Sequence, residues 1–240
     1  IFSISVLVIS SYRISMADER KKLLKDFGLN IHRPKRPSST WVRVTALGSY
    51  REVGRACHLV TTNESRVMID VGVNIASDTD PMPYFTAPEA LPLEKLDAVV
   101  LTHSHLDHAG MLPVLFKYGY RGPVYCTPPT RDLMLLLQTD YIKVGGAEGK
   151  RPAYDMEDIR MCMKHVVDVD WGETTDITPD VKLTFSNAGH ILGSSAVHLH
   201  IADGKHNIVF SGDQKYEKSW LFDAANTRSV SYTHLTLPTR

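Results

Sequence analysis

Cysteine is scarce in this chain. Cys57, Cys126 and Cys162 are its only three, far apart and never in a CxxC pair. That excludes a disulfide framework and a thiolate-built metal cluster, and the three read as reduced, buried thiols of a cytoplasmic protein. Net charge is missing as well, because 27 Lys and Arg balance 27 Asp and Glu. No global basic field marks a polyanion binder, although a local basic groove is compatible with a neutral protein. The apolar opening, Ile1 to Ile9, is too short to span a bilayer and has no basic residue before it. No membrane association is expected. What remains is an ordinary globular composition, 43% hydrophobic and 22% charged over 240 residues. That length suits one sizeable α/β domain with or without appendages.

The two ends stand apart. The chain does not begin with Met, so a fragment is expected. Residues 1–40 read as an N-terminal segment and linker. Within them ADERKKLLKDFGL (17–29) forms a short charged helix stopped at Gly28. NIHRPKRPSST (30–40), with its prolines and basic residues, has linker composition, His32 included. Residues 229–240 (SVSYTHLTLPTR) break the hydrophobic pattern and read as a non-native tail, so His234 is set aside. The body is 41–228.

What the chain does have is a concentration of metal-ligating side chains. The apolar run Ala98 to Leu101, the pattern of a buried strand, ends in His103-Ser104-His105-Leu106-Asp107-His108. A strand emptying into such a turn places imidazole and carboxylate at a sheet edge, where a site opens to solvent. His103 and His105 are two apart and can point the same way from an extended turn. Asp107 and His108 follow on the next bend and can face a second centre. Imidazole with carboxylate, and no thiolate, is a donor mixture that Zn²⁺ accepts. Because histidine is a scarce residue, a merely polar turn is a poor account of this stretch.

Three more strand exits carry candidates. Asp70 ends the run Arg66 to Ile69 just before Gly72. It either satisfies its own turn or supports the His-rich loop as an outer carboxylate that orients imidazole. His190 lies among small residues in Asn187-Ala188-Gly189-His190-Ile191-Leu192-Gly193-Ser194, and Asp213 closes Ser211-Gly212-Asp213 after the strand Asn207 to Phe210. Both read as ligands. His198 and His200 share one face of a strand, a spacing commoner on half-exposed sheets than at metals. With His58, His165 and His206 they are left out of the site. Between the motifs, strands are expected over 41–47, 55–61, 166–169, 181–185 and 196–201, and helices over 109–118, 131–144 and 155–164.

HSHLDH with Asp70 before it, and NAGHILGS and FSGD after it, resembles the motif series of the metallo-β-lactamase superfamily. LGSYREVGRACHLV, YGYRGPVYCTPPTRDLM, NAGHILGSS and IVFSGDQKY resemble the β-CASP nucleases within it, in particular the archaeal homologues of the cleavage and polyadenylation endonuclease. ERKKLLKDFGLNIHRP resembles the segment joining their KH domains to the catalytic core. The resemblance implies an αββα sandwich, incomplete here, with two zinc ions at its edge. His103, His105 and His190 would bind one, Asp107 and His108 the other, and Asp213 both, with Asp70 in support. It also implies a β-CASP insertion after the Asp213 region and two further histidines beyond it. A fragment without them is expected to hold the second zinc poorly and to be inactive alone.

The function so implied is a zinc-dependent ribonuclease, endonucleolytic and also 5′–3′ exonucleolytic, acting in RNA 3′-end processing and transcription termination. Paired zinc ions make hydroxide available at neutral pH and neutralise charge on a reacting phosphodiester, and Asp107 would orient that hydroxide. Single-stranded RNA is the expected partner, with RNA polymerase, and a homodimer is expected of the full-length protein. Two alternatives remain: another hydrolase of this fold, of thioesterase or lactonase type, and a non-catalytic RNA-processing scaffold.

Overall fold

In the computed structural model, residues 17–31, 41–77, 79–226 and 234–236 are described. His32 and most of the linker lie outside them. The chain forms two sheets packed face to face. The first has the order β1 (Arg43–Gly48), β2 (Cys57–Thr61), β3 (Arg66–Ile69), β4 (Ala98–Val100), β5 (Val124–Cys126), β6 (Val166–Asp168). β1, β2 and β3 are antiparallel hairpin neighbours, whereas β3 to β6 run parallel. The β3–β4 crossover is a long loop with one 3₁₀ turn, Leu93–Lys95, whereas the β4–β5 and β5–β6 crossovers carry helices. These helices are α2 (Leu106–Ala109), α3 (Leu112–Lys117), α4 (Pro128–Ala147) and α5 (Met156–Lys164). The second sheet is a meander of β7 (Thr174–Thr178), β8 (Val181–Asn187), β9 (Ser195–Ile201) and β10 (His206–Phe210). The backbone of β11 (His234–Thr236), from the stretch read as a tail, adds a strand parallel to β10.

Alternation along the first sheet divides the core in two. Leu59, Met68, Val99 and Val124 face the helices and meet Leu112, Leu115, Phe116, Met134 and Ile159. Val60, Val67, Ile69, Val100 and Tyr125 face the second sheet and meet Leu183, Phe185, Val197, Leu199 and Phe210. Each fully buried aliphatic of this kind stabilises by about 1.5–3 kcal/mol relative to exposure. Among the described residues only the first sheet carries a helical layer on its outer face, so the expected αββα sandwich is represented by three of its layers.

Several boundaries differ from the sequence reading, and the structure supplies a reason for each. The helix expected over 109–118 begins earlier and is two pieces, because the Met111 amide is diverted to the Val71 carbonyl at 2.8 Å. α4 also starts early, with Pro128 and Pro129 in its first turn, where a missing N–H costs nothing. α5 is fixed by a capping box between Asp155 and Asp158. α1 (Ala17–Ile31) runs through Gly28 instead of ending there. It is held by its neighbours: Glu19 pairs with Lys164 at 2.7 Å, Arg20 with Asp168 at 2.9 Å, and the Phe27 ring lies 6.0 Å from His165. α1, the charged helix expected over 17–29, therefore packs on α5 and β6.

Candidate metal centre

The parallel strands β3 and β4 deliver their C-terminal ends to one rim of the molecule. Asp70 follows β3 directly, with a left-handed backbone at φ 58° and 2% exposure. A carboxylate in that turn could bond locally. Instead Oδ1 accepts the amide of Thr102 at 2.8 Å, and Oδ2 accepts the Thr102 hydroxyl and His108 Nδ1, each at 2.8 Å. Of the two roles open to Asp70 in the sequence, the geometry is that of a carboxylate orienting the His-rich loop.

That loop is laced to the strand exit beside it. Ala56 donates to the Asp107 carbonyl at 2.8 Å, Val71 to His108 at 2.6 Å and Val73 to Leu106 at 2.9 Å. His105 precedes α2 as its cap residue, so Asp107 and His108 stand in a helical turn. His190 is presented by a turn in which its own amide donates to Ser194 Oγ at 3.1 Å. Asp213 follows Gly212, whose φ of 55° reverses the chain after β10.

These side chains converge. His103 Nε2 is 3.1 Å from His105 Nδ1, which is 3.2 Å from His190 Nε2. Asp213 Oδ2 is 3.5 Å from His190 Nε2. Ligand atoms of His103, His105, His190 and Asp213 all lie within 4.8 Å of one another. On the other side, His108 Nε2 is 3.4 Å from Asp213 Oδ1 and 3.8 Å from Asp107 Oδ2. Asp213 thus stands between two groups, one of three imidazoles and one of His108 with Asp107. Ring nitrogens crowded onto one point beside a carboxylate form a donor set that fits a divalent cation.

The charges suit that fit. Burial holds the His103 imidazole well below its ordinary range, helped by the charge on His108. Burial also lowers His190, against the pull of Asp213. Asp213 is drawn down to about 2 by its hydrogen bond to His108. For His108 burial opposes charge, yet Asp70 and Asp213 outweigh it and raise the imidazole to about 10. The metal-free centre therefore presents neutral His103 and His190 and an ionised Asp213, with a proton on His108 that a cation would displace.

The remaining histidines lie elsewhere. His198 and His200 lie side by side on β9 with tilted rings whose centroids are 3.7 Å apart, bonded to Asn207 and Thr184. His58 sits between Tyr50 and Phe210, and His165 bonds the Met161 carbonyl. Two residues of the centre were given no role in the sequence reading: Thr102, which directly precedes His103, and Gly72, two residues after Asp70. Arg55 was given none either. Buried, it binds Glu52, Asp80 and the Tyr84 hydroxyl at 2.6, 2.7 and 3.1 Å, which ties the loop before Ala56 to the loop after Val73.

Residues 59–239 match the model of the metallo-beta-lactamase superfamily domain. The chain belongs to that superfamily. Its members are generally metal-dependent hydrolases, and the fold implies a divalent metal. The chain is 58% identical over 207 residues to the transcription termination factor FttA of Methanosarcina mazei, covering 86% of this chain and 32% of that protein. The FttA of Methanothermobacter thermautotrophicus is 51% identical over 212 residues, 88% of this chain and 33% of its own. The FttA of a Lokiarchaeum species is 46% identical over 209 residues, 87% and 33%. The chain thus spans about a third of the length of these relatives. Among the described residues no helix is long and apolar enough to cross a membrane.

Proposed function

We propose that this chain is the metal-binding part of a zinc-dependent ribonuclease of the β-CASP type, acting on single-stranded RNA in 3′-end processing and transcription termination. The observation that carries the reading is the meeting of His103, His105, His190 and Asp213 from separate strand exits within 4.8 Å. The termination-factor relatives supply the biological setting. A scaffold would be expected to have lost ligands, whereas every ligand expected within this stretch is present in the sequence. A thioesterase or lactonase is disfavoured by relatives named for termination.

His103, His105 and His190 would hold one zinc, Asp107 and His108 a second, with Asp213 shared. Zinc there supplies the Lewis acidity that makes hydroxide available at neutral pH and offsets charge on the phosphodiester. Asp107, on the open side at 36% side-chain exposure, accepts a hydrogen bond from the attacking water and orients it. Asp70 stays behind the ligands and holds His108. The whole protein would act endonucleolytically and as a 5′–3′ exonuclease in the cytoplasm, as a homodimer working with RNA polymerase. KH domains upstream of 1–40 would bind RNA, and the body would cover 41–228.

The test is cleavage of labelled single-stranded RNA by the full-length protein. His103→Ala and Asp213→Ala should each abolish cleavage while RNA binding stays near wild type. Undiminished cleavage by either variant, or hydrolysis of a thioester in place of RNA, would reject the assignment.

A further inference from the structure

Thr102 meets Asp70, His103, His108, the start of β9 and the backbone before Asp213, and no ligand motif includes it. Its carbonyl accepts the amide of Ser195 at 2.8 Å, which pins the start of β9, just past the His190 turn, to the exit of β4. Its Cβ and Cγ2 lie 2.9 and 3.2 Å from where a side chain on Gly212 would begin, so its methyl packs on the backbone before Asp213. Its hydroxyl lies between Asp70 and two imidazoles.

The hydroxyl has one proton to give. Asp70 Oδ2, an acceptor only, stands 2.8 Å from Oγ1 and takes it. His103 Nδ1 lies 3.0 Å from the same oxygen. With its proton committed, Oγ1 is the acceptor there, so Nδ1 of His103 carries the ring hydrogen. Nε2 then keeps its lone pair, and it is Nε2 that stands 3.1 Å from His105 Nδ1 inside the cluster. His108 needs no such relay: its Nδ1 is 3.4 Å from Oγ1 but 2.8 Å from Asp70 itself.

We infer that Thr102 is a positioning residue that relays the Asp70 carboxylate to His103 and sets the imidazole tautomer whose Nε2 faces the metal. The inference rests on the metal-centre reading above. Asp70 governs two ligands, His108 by contact and His103 through one hydroxyl. Outer partners of this kind commonly change metal affinity by about 10–100-fold when removed.

Two variants separate the hydroxyl from the methyl. Thr102→Val keeps the shape against Gly212 and loses the hydroxyl, whereas Thr102→Ser keeps the hydroxyl and loses the methyl. Long-range ¹H–¹⁵N NMR of the metal-free chain reads which nitrogen of His103 is protonated, and competition with a chromophoric chelator reads zinc affinity. Wild type and Thr102→Ser should show His103 protonated on Nδ1, and their zinc affinities should be similar. Thr102→Val should lose the Nδ1 proton signal and bind zinc about 10–100-fold more weakly. An unchanged tautomer and affinity in Thr102→Val would overturn the inference. If that variant does not fold, a Thr102→Ser protein with His103 protonated on Nε2 would overturn it equally. Failure of the wild type to bind zinc would count against the proposed function instead, while the tautomer in the metal-free chain would still decide the role of Thr102.

Discussion

Gly72 and the carbonyl of Asp107 occupy space that no side chain could share: a Cβ on Gly72 would stand 1.6 Å from that oxygen. The contact lets the chain after β3 lie against α2, so that the amides of Ala56, Val71 and Val73 bond the carbonyls of Asp107, His108 and Leu106. The glycine is required by the approach of two backbones and not by a turn.

Gly72→Ala should therefore push α2 away from the strand exit and carry Asp107 and His108 with it. Overpacking at a closed site costs about 1–3 kcal/mol, and with backbone as the obstacle the upper end is expected. Urea unfolding should show that loss. Zinc titration of the same variant should show the second binding event weakened more than the first, because His103 and His190 do not ride on α2 and His105 only caps it. Equal weakening of both would argue against separate ligand groups.

A second expectation concerns pH, away from the centre. His198 on β9 is lowered to about 4 from an ordinary 6.5 by burial, and then by the neighbouring His200. The folded state thus binds fewer protons than the unfolded chain between those values. Protonation favours unfolding, so this contribution is fully present above about pH 6.5 and is lost as pH falls towards about 4. His198→Phe removes the titrating group. The stability difference between wild type and variant, measured by urea unfolding in the presence of chelator, should shift against wild type across that window and be flat above it. A difference independent of pH would remove His198 as an acid-sensitive element.

Metal-ligating residue types at strand ends are few enough that His103, His105, Asp107, His108, His190 and Asp213 could be picked from one dimension, and the fold brings all six together. Thr102 and Gly72 could not be. Their parts depend on what arrives from 32 or more residues away, Asp70 in one case and α2 in the other. The strand Arg66 to Ile69 was legible because Val67 to Ile69 are all apolar, whereas β7, with the sequence TTDIT, lacks a hydrophobic pattern and is recruited by pairing with β8. Gly28 read as a stop because local propensity favours one. The docking of Phe27 and Arg20 onto His165 and Asp168, invisible locally, carries α1 past it.

The two sheets are also joined at the end remote from the metal centre, by one carboxylate. Asp180, in the turn between β7 and β8, accepts the hydroxyl of Thr62 at 2.6 Å and that of Thr178 at 3.0 Å, and also that of Ser65. Thr62 and Ser65 belong to the β2–β3 turn of the other sheet, and both are buried. Removing the acceptor leaves those hydroxyls without it in a place water reaches poorly. A hydrogen bond to a charged group contributes about 1.5–3 kcal/mol, and partial exposure of Asp180 argues for the lower part of that range per bond. Asp180→Ala should therefore lower the unfolding free energy by about 3–4.5 kcal/mol, as two or three such bonds are lost together. Asp180→Asn, which keeps an acceptor oxygen but not the charge, should lose less. Zinc affinity should be unchanged in both, since no ligand hangs from this turn. A variant that bound zinc more weakly while keeping its stability would show that the two ends of the sandwich are coupled, contrary to this expectation.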